Sequence, residues 1–233
     1  MKKFFTLFAA ALMLAASLSV APSPARAQGP GLVSSILNKM ERNRRETRSL
    51  RAGMVMQKYN AQLRDYDMSF GEVKYVPGQG RDVCVRVDWS KPAREHLASC
   101  QGQYTLYRPR LNQAIQGSTK SRSKNTRVNG VLSFALGASG AQLRSQYNVE
   151  PVGEGTLDNG VHFWLLKFTP RGRGEFQYAE VWVGDDGMPV QTRVTEHNGD
   201  STLVRLNNVQ KNVGVSPDEF KINLGAGVKI VKG

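Results

Sequence analysis

Few side chains in this sequence have the chemistry of catalysis or metal binding, and their spacing keeps them apart. His96, His162 and His197 lie in three separate segments without the spacing of a zinc site, so we expect them to be surface residues of strands. Neither Ser133 nor Ser201 sits in the Gly-x-Ser-x-Gly turn that presents a nucleophile. The sequence therefore offers no catalytic triad and no metal centre.

Two glycine-containing motifs resemble ligand loops but fit turns better. Asp185-Asp186-Gly187 lacks the spaced oxygen ligands of a calcium loop, and Arg171-Gly172-Arg173-Gly174 does not lead from a strand into a helix as a phosphate loop does. Both are typical of hairpin turns. We therefore expect a protein that is not an enzyme and that needs no cofactor.

The only two cysteines flank a predicted hairpin turn at Pro92. Residues 83–89 and 95–100 alternate with period two, and a hairpin centred on Pro92 sets Cys84 opposite Cys100. Opposed strand residues reach a bridging distance only in some pair geometries, so the register predicts proximity and leaves a disulfide open. The same register separates a polar outer face with Arg86, Asp88 and His96 from an inner face with Val83, Val85, Val87 and Trp89.

Residues 1–27 have the order of a secretory signal peptide. Lys2 and Lys3 form a positive start, an Ala-, Leu- and Phe-rich run follows, and Ala25-Arg26-Ala27 supplies small residues for cleavage. The apolar run is shorter than the roughly 20 residues that span a bilayer. No cysteine follows the cleavage site to carry a lipid. We therefore expect a mature chain without a lipid anchor, exported to the periplasm after cleavage behind Ala27.

The mature chain is long enough for a single domain with a substantial core, over residues 28–233. Without the three basic residues of the signal it keeps 29 basic and 19 acidic residues, a formal charge of +10. Such an excess favours anionic partners, or is simply a well-solvated basic surface. Export disfavours nucleic acid as the partner, and we expect the protein to contact membrane surfaces transiently. We also expect a monomer.

The order of the elements predicts a sheet preceded by one helix. Apolar residues at helical spacing predict an amphipathic helix over residues 31–45, and closely spaced Val-, Tyr- and Phe-rich runs then predict an antiparallel meander that forms one large sheet or barrel. The predicted strands are residues 50–59, 68–76, 83–89, 95–100, 104–107, 113–117, 147–157, 161–169, 176–183, 189–197, 202–209 and 228–231.

Two segments interrupt these strands in the middle of the chain. Residues 118–129 are polar and predict an exposed, partner-facing basic loop with Lys120, Arg122, Lys124 and Arg127. Val131–Gly137 is a short apolar run that cannot form a stable helix alone and must pack on an apolar surface. It is either a plug of the core or a lid over a cavity.

The run Val161–Thr169 is apolar on both faces of its strand. Trp164, Leu166 and Phe168 alternate with Phe163 and Leu165. A sheet of this kind needs cover on both faces, or it lines a cavity for an apolar ligand.

In their order these motifs resemble the periplasmic outer-membrane lipoprotein carrier family (LolA-type) over almost the whole mature chain. The resemblance is carried by the amphipathic helix, Ser49–Met54, Gly102–Pro109, Leu111–Gln113, Val131–Gly137, Phe168–Pro170, Val183–Gly187, Asn198–Thr202, Asn207–Val209, Phe220 and Gly227–Val228. It implies an incomplete antiparallel β-barrel (half-barrel), mainly β with α, covered by an N-terminal amphipathic helix and a short mid-chain lid helix.

The resemblance also implies a function and partners. The protein would shield the acyl chains of lipoproteins, or of another lipid, and would meet an inner-membrane donor complex and an outer-membrane acceptor. The residues expected to line its lipid-binding cavity are Met54, Met56, Val85, Val87, Trp89, Leu106, Leu132, Phe134, Leu136, Trp164, Leu166, Phe168, Val181 and Val183.

One departure and one alternative follow from the comparison with that family. Its members carry an Arg-Pro pair after the early hairpin, whose arginine helps to hold the lid, whereas here Val76 precedes Pro77 and the role is empty or has moved to Arg81. The alternative is a periplasmic lipid-sensing or regulatory binding module of the envelope-stress type, which has a similar fold.

Overall fold

The alternating pattern forms one sheet of twelve strands in the computed structural model, which describes residues 29–78, 83–119, 127–174 and 176–233. The helices are α1 (Gly29–Glu46), α2 (Arg127–Leu132) and α3 (Gly140–Gln146), with a π-helical turn at Ser133–Gly137 and 3₁₀ turns at Pro109–Leu111 and Pro217–Phe220. The strands are β1 (Leu50–Asn60), β2 (Asp65–Pro77), β3 (Val83–Lys91), β4 (Glu95–Cys100), β5 (Gln103–Arg108), β6 (Gln113–Ser118), β7 (Tyr147–Thr156), β8 (His162–Pro170), β9 (Tyr178–Gly184), β10 (Pro189–Thr195), β11 (Ser201–Lys211) and β12 (Lys229–Lys232).

The sheet consists of two meanders joined side by side. Its strand order is β12-β6-β5-β4-β3-β2-β1-β11-β10-β9-β8-β7, so β1 pairs with β11 and connects the two halves. Strands β12 and β7 are the two edges, which leaves the sheet open. The predicted half-barrel class is confirmed, and each predicted strand is present within a few residues of its predicted ends.

The β3–β4 hairpin has the register predicted from Pro92. Asp88 pairs with His96 and Arg86 pairs with Ala98. Val85 pairs with Ser99, so the same register extends to the residues next to the two cysteines. Cys84 and Cys100 form a disulfide in the structure, with α-carbons 4.2 Å apart. The hairpin is therefore closed covalently at its open end.

The helices cover one face of the sheet, which we call the inner face. The other, the outer face, is mainly polar on β2–β4 and apolar on β8 and β9, where Phe163, Leu165 and the buried Trp182 alternate with inner-face residues. In β1 every second residue is buried on the inner face: Leu50, Ala52, Met54 and Met56. Register carries this face across the sheet, because paired residues of neighbouring strands share a side. Met54 pairs with Leu206 of β11, and Ala52 pairs with Val73 of β2.

A glycine turn positions α1 on the inner face. Gly187, in the β9–β10 turn, has φ +82°, and a β-carbon there would collide with the Lys39 carbonyl of α1. Only glycine permits both this left-handed conformation and this close approach. Asn43 adds a contact to the Met188 sulfur at 3.5 Å, and Lys211 donates to the Asn43 side-chain oxygen at 2.9 Å.

Two parts of the fold differ from the sequence-based expectation. Strand β12 is parallel to β6, because the chain after β11 crosses to the far edge of the sheet before pairing there. Helix α3, which no apolar repeat announced, begins at a capping box: the Ser139 side chain accepts from the Gln142 amide while the Gln142 side chain accepts from the Ser139 amide. The predicted signal peptide lies outside the described residues.

Candidate functional site

The residues predicted to line a lipid cavity lie on the inner face or on the segment that covers it. All are buried except Phe134 and Trp164, which are partly buried and pack against the same core. In this structure α1 and residues 127–137 cover the inner face. We call residues 127–137 the lid, a name that describes their position over the sheet and not a movement. The predicted lining is thus brought together, and protein side chains occupy the space in front of it.

Those residues divide between two apolar clusters. The lid cluster, across β1–β5 and β11, contains Met54, Met56, Val85, Val87, Trp89, Leu106, Leu132 and Leu136. The helix cluster, under α1, contains Leu166, Phe168, Val181 and Val183, with Phe134 and Trp164 packed against it. The inner face therefore has two compartments, one under each covering element.

Phe134 ties the lid to the helix cluster. Its ring centroid lies 5.4 Å from those of Tyr147 and Phe168 and 5.7 Å from that of Phe176, in edge-to-face arrangements. Leu132 and Leu136 point instead into the lid cluster. The lid thus contacts both compartments, mainly through apolar side chains.

A polar contact joins the sheet to the lid. The buried Tyr75 hydroxyl donates a hydrogen bond to the Leu136 carbonyl at 3.4 Å. Burial raises the pKa of Tyr75 to about 12, so the hydroxyl keeps its proton at physiological pH. Tyr75 lies two residues before Pro77, close to where the family resemblance places the arginine that holds the lid. Arg81, the other expected candidate, lies outside the described residues.

A carboxylate fastens α3 to α1. Glu41 of α1 accepts hydrogen bonds from Arg44 at 2.9 Å and from Arg45 at 2.7 Å, and its other oxygen accepts from the Gly140 amide at 2.9 Å. Hydrogen bonds from Arg44, and then from Gly140 and Arg45, lower the pKa of Glu41 to about 2 against the opposing effect of burial. Glu41 is therefore a charged anchor between the two helices.

Sequence reasoning did not find a groove at the β7 edge, between α1, α3 and β7. It has a volume of about 400 Å³ and is lined by Val33, Ser34, Leu37, Arg144, Tyr147, Val149, Pro151 and Arg171. Leu37 belongs to the helix cluster, and Val33, Tyr147 and Val149 pack against it. The groove therefore opens onto the side of the apolar core, with arginines on its wall. Its signal in the sequence is weak, because its residues come from three distant segments.

The outer face carries a second groove and a polar network. Three tyrosines, Tyr59, Tyr66 and Tyr178, line a groove of about 310 Å³ together with Arg193.

In the polar network, Asp88 accepts a hydrogen bond from Arg86 at 2.9 Å and lies 2.6 Å from His96. Although burial opposes it, hydrogen bonds from Arg86 and His96 lower the pKa of Asp88.

The 3₁₀ turn Pro217–Phe220 crosses this network as a strap. Glu219 pairs with Arg51 at 2.8 Å and with Lys74 at 2.7 Å, and Arg86 donates to the Glu219 and Lys221 carbonyls. Hydrogen bonds from Lys74 and then from the Ser216 amide lower the pKa of Glu219 to about 2. Ion pairs thus hold the strap against β1–β3, on the side of the sheet away from the lid.

The remaining predicted residues are placed as follows. His162 contacts Asp185 at 2.9 Å and His197 contacts the Gly174 carbonyl at 3.3 Å, both at the surface. Within the described ranges no three His, Cys, Asp or Glu side chains come together as metal ligands. Lys120, Arg122 and Lys124 of the basic loop lie outside the described residues, and Arg127 begins α2.

Comparison with known proteins identifies relatives at the level of family and fold. The family model described as outer membrane lipoprotein carrier protein LolA matches residues 81–223. No curated protein matches the sequence. No helix among the described residues combines the length and the apolar character that crossing a membrane requires.

Among solved structures, MucB and a Thermus thermophilus protein share the fold at low sequence identity. MucB is 18% identical with a TM-score of 0.54 over 86% of this chain, and the match spans 66% of MucB. A conserved protein from Thermus thermophilus is 15% identical with a TM-score of 0.54, over 87% of this chain and 99% of its own. A LolA superfamily protein from Nitrosomonas europaea is 13% identical with a TM-score of 0.41, over 81% and 97%.

Proposed function

The chain belongs to the family of the outer membrane lipoprotein carrier protein LolA, and from this premise we propose that it is a soluble periplasmic carrier of acylated cargo. It shields the acyl chains of lipoproteins, or of another lipid, on its inner face and delivers them toward the outer membrane. The proposal includes export: residues 1–27 are a signal peptide, and residues 28–233 are one carrier domain.

The observation that carries the proposal is the construction of the lid. Its helix α2 is six residues long, too short to be stable alone, so packing against the sheet holds it in place. Val131, Leu132 and Leu136 contribute to the packing of the lid cluster. Acyl chains have the same apolar chemistry as these side chains and can replace them when the lid moves.

The energetics of burial favour such an exchange. Each buried methylene contributes about 0.8 kcal/mol, so one long acyl chain supplies several kcal/mol. Met54 and Met56 lie at the centre of the sheet, on β1, where their flexible side chains can adapt to cargo of different shapes. Release requires that the lid compete for the same surface, and its short apolar segment provides that competition.

The basic residues give the carrier a way to meet its partners. Lys120, Arg122, Lys124 and Arg127 form a cationic stretch that leads into the lid in the sequence, with Arg127 as the first residue of the lid. We infer that this stretch meets acidic surfaces of an inner-membrane donor complex and an outer-membrane acceptor, and that it accelerates encounter more than it strengthens binding. No catalytic step is part of the proposal.

A loading assay tests the carrier proposal. Purified mature chain is mixed with an acylated lipoprotein in detergent, the detergent is removed, and soluble complex is measured by size exclusion. We expect the wild type to hold the lipoprotein in solution and not its unacylated form. Leu132→Glu, which puts a charge into the lid cluster, is expected to lose the complex while its far-ultraviolet circular dichroism spectrum stays β-type.

The matched control is Leu111→Glu, since Leu111 is 65% exposed in the turn Pro109–Leu111 and belongs to neither apolar cluster. It is expected to load like the wild type. Loading by Leu132→Glu at the wild-type level, or no loading by the wild type, would contradict the proposal. A complex that forms but never passes its cargo to acceptor vesicles would support the alternative, a lipid-sensing or regulatory binding module, which the fold shared with MucB motivates.

A further inference from the structure

The groove at the β7 edge combines an apolar floor with positive charge at its wall. Its apolar lining comes from both sides, with Val33 and Leu37 on α1 and Val149 and Pro151 on β7. Arg144 and Arg171 are charged lining residues, and among the residues that the structure describes no acidic side chain lines the groove. Such a surface is complementary to an amphiphile that has an apolar tail and an anionic head.

The size of the groove limits the tail to one chain. A methylene group is about as large as a water molecule, whose share of liquid volume is about 30 Å³. A groove of about 400 Å³ therefore holds roughly a dozen methylenes. That length corresponds to most of one long acyl chain.

The arginine of α3 is held in place at this wall. Arg144 donates to the Asn38 side-chain oxygen of α1 at 2.7 Å, and α3 is fixed to α1 by the bond from the Gly140 amide to Glu41. Arg171 follows β8, and its backbone amide donates to the Gln146 carbonyl at the end of α3 at 2.9 Å. A guanidinium group has a planar donor fork that matches a carboxylate, and a positioned one loses less freedom on binding.

We propose that this groove binds the anion of a long-chain fatty acid, with the chain between α1 and β7 and the carboxylate at Arg144 and Arg171. The inference rests on the proposed function, because it names a ligand class for the carrier that differs from the acyl chains of a lipoprotein. Those chains are esters and amides without a negative head.

The groove is also connected to the lid. Tyr147 lines the groove, and its ring lies 5.4 Å from Phe134 of the lid and 5.9 Å from Phe176, on which it stacks. A chain in the groove therefore contacts both Leu37 of the helix cluster and Tyr147, the neighbour of Phe134. The fatty acid site is therefore placed beside the contact that holds the lid to the second compartment.

The test compares an anionic and a neutral chain on the full mature protein. The probe is cis-parinaric acid, a fluorescent fatty acid, and the competitors are a fatty acid and the fatty alcohol of equal chain length. We expect the wild type to bind the acid tenfold or more tightly than the alcohol at neutral pH. Arg144→Gln/Arg171→Gln is expected to lose that preference, with a tenfold to hundredfold weaker affinity for the acid and an unchanged affinity for the alcohol.

Two further variants separate the head-group contact from a structural effect. Arg171→Gln alone leaves the bond between Arg144 and Asn38 in place and is expected to lose part of the preference without a change in thermal unfolding. Arg173→Gln removes a neighbouring charge that does not line the groove, and it is expected to behave like the wild type.

Three results would overturn the inference. They are an unchanged preference in the double variant, an equal loss of acid and alcohol binding, and displacement of the probe by a lysophospholipid at a concentration tenfold or more below that of the fatty acid, which would assign the arginines to a phosphate. In each of these, lipoprotein loading and its dependence on Leu132 would remain, so the carrier proposal would stand. Failure of the wild type to bind any acyl compound and to load lipoprotein would remove both.

Discussion

Tyr75 and Tyr104 are two equally buried tyrosines of the lid cluster whose hydroxyls have different partners. Each is 2% exposed. Tyr75 donates to the lid at the Leu136 carbonyl, whereas the Tyr104 hydroxyl has no hydrogen-bond partner among the described residues. An intramolecular hydrogen bond contributes about 0.5–1.5 kcal/mol, and an unsatisfied buried hydroxyl is itself unfavourable. The two residues therefore form a matched pair for testing the lid contact.

Replacing each tyrosine by phenylalanine should affect hydrogen exchange of the lid in one case and not in the other. Tyr75→Phe is expected to destabilise the closed lid by about 1 kcal/mol, because a hydrogen bond is lost. Amide hydrogen exchange of residues 131–137 should then be roughly fivefold faster. Tyr104→Phe is expected to leave exchange there unchanged and overall stability equal or slightly higher. Equal exchange in both variants would mean that the Tyr75 hydroxyl does not hold the lid.

Glu41 predicts a pH dependence with a definite sign. Its folded-state pKa is about 2 against an ordinary value of 4.5, so its stabilisation is complete above pH 4.5 and is lost as the pH falls from there toward 2. Glu41→Gln removes the charge, and charge-assisted hydrogen bonds are worth about 1.5–3 kcal/mol. Urea unfolding should therefore show a wild-type advantage of about that size at neutral pH, shrinking below pH 4.5. An advantage that grew on acidification would contradict the assigned role.

At the scale of elements, the sequence predicted strands better than it predicted their partners. The β3–β4 register followed from alternation about Pro92, because a hairpin is local and its turn sets the pairing. The parallel pairing of Lys229 with Gln113 could not follow in this way, since more than a hundred residues separate the partners. Helix α3 was missed because it buries only Gly140 and Leu143, too few residues for an apolar repeat.

The disulfide makes the β3–β4 hairpin a testable unit. Cys84 and Cys100 are 16 residues apart. In the simplest model, closing a loop of that size reduces the entropy of the unfolded chain and so stabilises the folded state by about 3 kcal/mol at 25 °C. The double variant Cys84→Ser/Cys100→Ser is expected to lose about 2–3 kcal/mol in urea unfolding, and the reduced wild type should match it. Identical midpoints for oxidised wild type and double variant would show that the bridge adds nothing.

At the scale of the whole molecule, the sequence predicted which residues share the inner face but not what occupies the space in front of it. Period-two alternation places Val85, Val87 and Leu166 on one face, and the structure buries all three there. Whether Val131–Gly137 was a plug or a lid could not be decided from the residues, because both are short apolar runs. In the structure the segment consists of the end of α2 and a π-helical turn, and it packs against both apolar clusters of the inner face.

The two covers of the inner face differ in how they are attached. Helix α1 has eighteen residues and is held by the close approach of Gly187, by Asn43 and by Glu41. Among the described contacts, the lid is joined to the sheet by the hydrogen bond from Tyr75 and by apolar packing of Leu132, Leu136 and Phe134. We therefore expect the lid, rather than α1, to yield when an acyl chain enters.

Native mass spectrometry of the protein purified from the periplasm without detergent tests the central claim most directly. The account predicts a chain that begins at Gln28 and that carries a bound acylated molecule, released when the gas-phase collision energy is raised. In the Leu132→Glu variant the same spectrum should show the bare chain. A wild-type spectrum with only the bare chain, both as purified and after incubation with acylated lipoprotein and fatty acid, would contradict the account.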